Sequence, residues 1–372
     1  ILIAGGGMAG SSLFRYAAEA GMKPVLINYG RGSSWRNIAG GRPAFSVPEL
    51  ADIATNNLHL FKELQKISNI NFYQTNYISF AHDQATYEAL DKSREWSNAY
   101  MISPAQFRKE ISESFNPNGT KYLGALVTKD CWQATPGLTI DLIRQLGIKS
   151  GGEILEDCKL IRVEKVGNRY ISLVKDHNQE YIEYDSELFI NALGYEADKF
   201  AQQLGYETGL YPVKHQAFIT RRLPMLGVNG KSLDMLIDRR HYKGFTAVYG
   251  QQLAETGQII GCASPANEPM HANRPLAIND KDFLNIVSEV FCDWIPQLTS
   301  VGMQAIWAGY YTEPRMIVDP AKGLMVGLRG QGFMLSMYLA KMYIQAITGQ
   351  KTPEYFKKLS LEGEGIKEDV FK

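Results

Sequence analysis

Six residues near the start of the chain, Gly5-Gly6-Gly7-Met8-Ala9-Gly10, have the types and spacing to hold a diphosphate. The pattern is GxGxxG: Gly5 permits a tight turn, Gly7 lets the backbone approach a pyrophosphate, and Gly10 allows a helix to pack closely. A helix opening at Met8 and Ala9 adds N–H groups and the positive end of its dipole. In such units an acidic residue commonly ends the second strand and takes the ribose hydroxyls. Here Asn28 stands in that place, followed by Tyr29. An amide can make the same hydrogen bonds without the charge-assisted strength of a carboxylate. Arg31, just beyond, has two readings: a contact to a ribose phosphate, or an exposed loop arginine.

These residues need a strand before them and a helix after them. Ile1-Leu2-Ile3-Ala4 reads as a buried strand, and Met8 to Ala20 as a helix with Leu13, Ala17 and Ala20 on one face, ended by Gly21. Pro24 to Ile27 is a second buried strand, which completes a β-α-β unit of about 30 residues. Residues 46 to 70 have helical spacing in Leu50, Ile53, Leu58, Phe61 and Leu64. From 71 to 134 the character changes to short aromatic strands such as Asn71 to Phe80 and a charged helical stretch from Asp83 to Trp96. A helix returns at Thr135 to Gly147. Strands follow at Glu153 to Val166, Arg169 to Asp176 and Tyr181 to Tyr184, with a buried run from Leu188 to Ala192 that ends at Gly194. Alternating strands run from Tyr211 through Ile260, and Gly323 to Gly349 is a strand, a glycine loop and a long helix.

The nucleotide-binding pieces thus lie at the beginning, middle and end of the chain. The expected fold is α/β. A Rossmann-like domain with a central parallel sheet takes 1–70, 135–210 and 305–372, and an α+β substrate-binding domain on a mixed, largely antiparallel sheet takes 71–134 and 211–304.

Composition narrows the class. A chain of 372 residues is too long for one ordinary core, and its 45% hydrophobic and 21% charged content is that of a packed globular protein. Thirty-nine basic residues balance thirty-nine acidic ones, so no net field draws a polyanion and nucleic-acid binding is not expected. Cys131, Cys158, Cys262 and Cys292 are far apart with no CxxC pair, and His59, His82, His177 and His271 form no metal-spaced cluster. No metal is expected, and reduced thiols fit a cytoplasmic location. No apolar run approaches the roughly 18 residues that cross a bilayer, and no signal peptide precedes the first strand. Because Ile1 is already inside a strand, a few natural residues are expected before it. Nothing in the sequence fixes the oligomeric state, and a homo-oligomer stays open.

Five ordered segments carry a more specific likeness. Ser33-Ser34-Trp35-Arg36-Asn37-Ile38-Ala39-Gly40-Gly41-Arg42-Pro43 resembles the second flavin-contact loop of the D-amino-acid oxidase and glycine oxidase family of FAD-dependent oxidoreductases. Asp130-Cys131-Trp132 leading to the helix at Thr135, Phe189 to Gly194, and Tyr211-Pro212-Val213-Lys214-His215-Gln216 resemble three further stretches of that family. Trp307-Ala308-Gly309, followed by Gly327-Leu328-Arg329-Gly330-Gln331-Gly332-Phe333, resembles its C-terminal flavin loop and helix.

The resemblance implies FAD, with its pyrophosphate at Gly5 to Gly10 and a backbone contact to adenine near Leu160. It places Ser34, Ala192 and Gly194 against the cofactor, and the isoalloxazine between the loop Gly40-Gly41-Arg42-Pro43 and the loop from Arg329 through Gly330, Gln331, Gly332 and Phe333 to Met334. It also implies oxidation of the C–N bond of an amino acid or related small amine, by hydride transfer to flavin N5, with oxygen or an electron acceptor closing the cycle. An arginine and a tyrosine usually hold the substrate. This chain departs from the pattern there, because Tyr311 occupies the position of the usual arginine. Arg315 and Arg329 are the neighbouring candidates for the clamp. His241 and Tyr242, in Asp238-Arg239-Arg240-His241-Tyr242, lie where the family places substrate-facing side chains, and His215 lies near the flavin. Two other readings stay open: a 2-hydroxy-acid or polyol dehydrogenase on the same fold, and a flavoprotein whose flavin is structural.

Overall fold

The computed structural model describes residues 1–116, 119, 121–267, 273, 275–276, 281–367 and 369. Two large sheets organise the chain. The first has six strands in the order Ile317–Asp319, Leu324–Val326, Phe189–Asn191, Leu2–Ala4, Val25–Ile27 and Glu153–Leu155. All neighbours are parallel except the hairpin of Ile317–Asp319 with Leu324–Val326.

The continuous apolar runs noted in the sequence are explained by cover on both faces. Successive side chains alternate, so Ile3, Leu26 and Ile190 face one way while Leu2, Ala4, Ile27 and Phe189 face the other. The first face packs under the helices Met8–Glu19, Pro48–Ile67, Pro136–Lys149 and Gly332–Ile347. The second packs against Leu160, Val163, Tyr170 and Val174 of a three-stranded antiparallel sheet, Lys159–Val166, Arg169–Lys175 and Tyr181–Ser186.

The second large sheet has nine strands. Its path runs Met303–Glu313, Tyr211–Thr220, Ile259–Pro265, Phe245–Gln252, Met235–Asp238, Tyr73–Ala81, Gly124–Gln133 and Gly40–Gly41, with Ala99–Ile102 also paired to Gly124–Gln133. It is antiparallel except where Met235–Asp238 runs parallel to Tyr73–Ala81. Gly40–Gly41 and Met303–Glu313 fall in segments the sequence assigned to cofactor binding, yet both hydrogen-bond within this second sheet. They carry the chain from one sheet to the other.

Period-2 alternation also gives the second sheet two different faces. Ile78, Phe80, Leu236 and Val248 pack under the helix Lys281–Trp294, through Phe283, Val287, Phe291 and Trp294. Tyr77, Met235, Ile237 and Tyr249 point the opposite way, toward the first sheet. No helix among the described residues is long and apolar enough to cross a membrane.

Candidate active site

A continuous cavity of about 850 Å³ runs between the sheets. That is toward the upper end of ligand sites, roughly 300–1,000 Å³. One end is bordered by Tyr29, Lys159 and Leu160, the middle by Gly5, Gly7 and Ala9, and the far end by Tyr77, Arg239 and Tyr249.

The glycine loop has the backbone shape its sequence demands. Gly5 sits at φ +108°, and a Cβ there would lie 2.3 Å from the Ala192 carbonyl oxygen. A Cβ on Gly10 would meet the Gly5 carbonyl oxygen at 1.8 Å, so the helix can begin this close to the strand only with glycine. Met8 is buried beneath the turn, and its N–H donates to Ser34 Oγ at 3.0 Å. Ser34 also lies against Gly7, where a Cβ would come within 2.9 Å of its oxygen. The first and second loops are therefore in contact.

The second and third loops meet on one side chain. Trp132 is buried against Gly41, whose Cβ would fall 2.2 Å from the indole ring. The same ring packs on Phe61 at 4.0 Å and on Phe333 at 5.6 Å between centroids. A buried aromatic of this kind contributes roughly 3–5 kcal/mol by truncation. Here it also fixes the spacing of two loops on the cavity wall. Arg329 is left-handed at φ +51°, followed by Gly330 at φ +73°. Arg329 Nε donates to Glu313 Oε2 at 2.7 Å, so part of its charge is offset before any ligand arrives. Gly330 leaves room for the Tyr311 ring, which a Cβ would approach to 2.2 Å.

Asn28 is not isolated at its strand end. Its Nδ2 donates to Glu156 Oε2 at 2.5 Å, while Glu156 Oε1 accepts from Arg144 Nη1 at 3.0 Å. Arg144 continues inward, with Nε on Ser11 Oγ at 3.1 Å and Nη2 on the Gly6 carbonyl. Desolvation lowers the Arg144 pKa, opposed by the charge of Glu156. An ionised carboxylate only accepts, so Glu156 holds the Asn28 amide with nitrogen toward itself. The Asn28 oxygen then faces Gly6, where a Cβ would be 2.3 Å away.

At the far end, strand parity decides which side chains enter. Met235, Ile237 and Arg239 share the cavity face, and the register sets Met235 beside Tyr77 and Ile237 beside Tyr249. Asp238 turns to the other face and is fully buried. There it accepts from Arg240 Nη2 at 2.6 Å and Tyr242 Oη at 2.8 Å, with His82 Nε2 at 3.2 Å. Burial favours its neutral form, but hydrogen bonds from His82 and Arg240 outweigh that and hold the carboxyl far below the usual range. Arg239 Nη1 donates to Ser79 Oγ at 3.0 Å. Desolvation, with the Arg42 charge beside it, pushes the Arg239 pKa down to about 10. Tyr249 interacts with Cys262 and Tyr311, and burial raises its pKa well above that of a free phenol. The Tyr311 ring stacks on His215 with centroids 3.6 Å apart.

Most of the expected residues border this cavity: Tyr29, Ser34, Gly40 and Arg42, then Leu160, Ala192 and Gly194, then His215, His241 and Tyr311, then Arg329 to Met334. Met8, Gly10, Gly41 and Pro43 lie behind the lining. Two expected substrate residues are placed elsewhere. Tyr242 is turned away by its bond to Asp238. Arg315 donates to the Gly363 and Leu361 carbonyls, which ties down the C-terminal segment. His271 lies outside the described residues, and no group of metal-ligating side chains occurs among the described ones. Tyr77, Arg239, Tyr249, Arg144, Glu156 and Asp369 were not singled out from the sequence. For three of them a signal existed, since alternation along Met235-Leu236-Ile237-Asp238-Arg239 and facing tyrosines on neighbouring strands would have pointed inward together.

A diphosphate cradle on a parallel sheet, opening into a polar and aromatic chamber on an antiparallel one, defines a dinucleotide-dependent enzyme. The profile of the DAO family, FAD dependent oxidoreductase, matches residues 1–346, and the chain belongs to that family. It is therefore an oxidoreductase whose cofactor is FAD. The cavity fits this group, because a long dinucleotide requires the close backbone approach that Gly5, Gly7 and Gly10 permit. L-proline dehydrogenase from P. horikoshii shares the fold at a TM-score of 0.82 and 21% identity, covering 97% of this chain and 96% of that one. Glycine oxidase from Geobacillus kaustophilus does so at 0.81 and 14%, with 97% of each chain covered. L-Amino acid deaminase from Proteus myxofaciens, in complex with anthranilate, does so at 0.76 and 14%, covering 95% and 92%. No curated protein sequence matches significantly.

Proposed function

We propose that the protein oxidises the C–N bond of an amino acid or a related small amine, and that the substrate carboxylate rests on Arg239. Bound FAD supplies the hydride acceptor at N5, and oxygen or another electron acceptor closes the cycle. The observation that carries this reading is the guanidinium of Arg239 at the end of the cavity, on the strand face shared with Met235 and Ile237. It offers a bidentate partner for a carboxylate. The position of the family's usual arginine holds Tyr311, so the clamp has moved to another strand while the anion-binding chemistry is retained. The names of the similar structures, enzymes of proline, glycine and L-amino acids, support the same substrate class.

In this reading the first glycine loop takes the pyrophosphate, the backbone at Leu160 meets the adenine, and the loops at Gly40 and Gly330 flank the flavin ring. Apart from His215 and His241, the chamber's side chains position the substrate rather than exchange protons with it. Tyr249 stays neutral through the ordinary pH range, and burial pushes the Cys262 thiol up to about 12. Glu196 is the one carboxylate among the described cavity-lining residues, and it sits beside Gly194 and Tyr195 rather than in the chamber. His215 and Tyr311, stacked with ring centroids 3.6 Å apart, form one side of the chamber. All four cysteines are free thiols, three of them buried, which suits a reducing cytoplasm.

The test is anaerobic mixing of the FAD-loaded protein with a panel of amino acids and N-alkylated amino acids. Loss of the flavin absorbance with at least one of them is expected. A flavin that stays oxidised with all of them, but is reduced by dithionite, would sink the reading, and bleaching by 2-hydroxy acids alone would replace it.

A further inference from the structure

We propose that His241, Thr246 and Ser264 form a polar subsite at the rim of the chamber, which receives an uncharged hydrogen-bonding group, a hydroxyl or a carboxamide, on the substrate's side chain. The proposal rests on the amino-acid reading above and narrows its substrate class. Strand parity supplies the first of the three residues. Met235, Ile237, Arg239 and His241 line the cavity, while Leu236, Asp238, Arg240 and Tyr242 belong to the other face. Asp238 takes up both neighbours of His241 from behind. Its Oδ1 accepts from the Arg240 N–H at 2.9 Å, and its Oδ2 accepts from Tyr242 Oη at 2.8 Å. Tyr242 and Phe245 then exchange backbone hydrogen bonds of 2.8 and 2.9 Å, which close the corner. His241 is thereby held toward the cavity by a braced backbone.

A break in alternation supplies the second residue. Phe245 and Val248 both pack under the helix Lys281–Trp294, although strict alternation would set them on opposite faces. The pairing of their strand with Ile259–Pro265 slips by one residue between Phe245 and Ala247, and Thr246 and Ala247 both line the cavity. This is a β-bulge, a device that re-aims side chains beside binding sites. Ser264, the ladder partner of Ala247, lines the cavity from the next strand. Thr246 follows Phe245 as His241 precedes Tyr242, so the two flank one bridged pair. Hydroxyls and a neutral imidazole each donate and accept, which matches an uncharged group with both roles. Only one residue separates Arg239 from His241, so their Cα atoms are no more than roughly 7 Å apart. A carboxylate on Arg239 and a polar group at His241 therefore fit within one small molecule.

The experiment titrates the FAD-loaded protein with succinamate and with isocaproate, and follows the perturbation of the flavin spectrum. These two carboxylates have the same shape, one ending in a carboxamide and the other in its hydrocarbon counterpart, and neither carries an amine to oxidise. The wild-type protein should bind succinamate more tightly. Thr246→Val and His241→Leu should each lower the succinamate-to-isocaproate affinity ratio about fivefold, the scale of one neutral hydrogen bond. Thr246→Ser should keep the wild-type ratio, a rescue that a merely structural role for the side chain would not give. A wild-type protein that binds isocaproate at least as tightly, or a ratio that either Thr246→Val or His241→Leu leaves unchanged, overturns the proposal alone. Arg239→Leu should weaken both probes alike and leave the ratio in place, so the carboxylate assignment is tested separately. If neither probe binds the wild-type protein, the proposal falls together with that assignment. No turnover is needed, so these outcomes are separate from the bleaching test.

Discussion

The two ends of the cavity are held by different kinds of force. At the diphosphate end, shape is set by what is missing: Gly5, Gly7 and Gly10 leave no side chain between backbone groups 2.9 Å or less from where a Cβ would stand, or from the Ser34 oxygen. At the far end, shape is set by what is present: charged and aromatic side chains brought from Tyr77, Arg239, Tyr249 and Tyr311, with Asp369 behind Arg42. Backbone sterics tolerate almost no change. Side-chain electrostatics can be retuned one residue at a time, which is how the arginine position could pass to Tyr311 while a guanidinium still reaches the chamber.

The sharpest way to break this contrast is Gly10→Ala. The added carbon would sit 1.8 Å from the Gly5 carbonyl oxygen, so helix and strand must separate. A loss of about 3 kcal/mol of stability is expected, in the range of severe packing substitutions. The protein should purify with little flavin, read as the visible flavin absorbance per protein, and with a lowered melting temperature. Normal flavin content would mean that the loop yields more easily than its geometry implies.

Arg239→Leu probes the opposite end. Flavin content should stay near that of the wild type, while the affinity for a carboxylate substrate or acetate falls about a hundredfold, the loss of a charge-assisted contact worth about 2–3 kcal/mol. Arg239→Lys should recover only part of it, because an ammonium does not present the planar fork. A KM unchanged in Arg239→Leu would remove this residue from substrate binding and with it the contrast between the ends.

The difference in forces also explains what the sequence revealed. The glycine loops were legible because tight turns and close helix starts are local demands on residues within a few positions of each other. The parallel sheet was legible from short apolar runs next to those loops. The far end was not, because it is assembled by pairing: Tyr77 meets Met235 through a parallel register, and Arg42 meets Asp369 from opposite ends of the chain. His241 and Tyr242 drew attention through their residue types, whereas strand parity selects Arg239 and gives Tyr242 to Asp238. The helix Lys281–Trp294 was overlooked for no such reason. Phe283, Ile286, Val287, Val290, Phe291 and Trp294 lie on one helical stripe, a pattern readable in the sequence.

Asn28 lies between these two regimes, and Glu156→Gln tests which of them governs it. The usual acid at that strand end is absent, but a carboxylate has been placed one strand over, where it orients the Asn28 amide and pairs with Arg144. If side-chain electrostatics governs the ribose end, losing the charge of Glu156 should matter twice. The Asn28 amide would no longer have an obligate acceptor beside its nitrogen and could turn, and Arg144 would keep its charge against the Gly6 carbonyl without its counter-ion. Glu156 is half-exposed, so water replaces part of what is lost and the expected effect is small, about 1 kcal/mol or fivefold in the FAD dissociation constant. Flavin fluorescence on titrating the apoprotein measures it, and acetate affinity at the far end should not change. An FAD affinity unchanged in Glu156→Gln would show that the glycine backbone alone sets cofactor binding, and that Asn28 needs no brace to replace the acid.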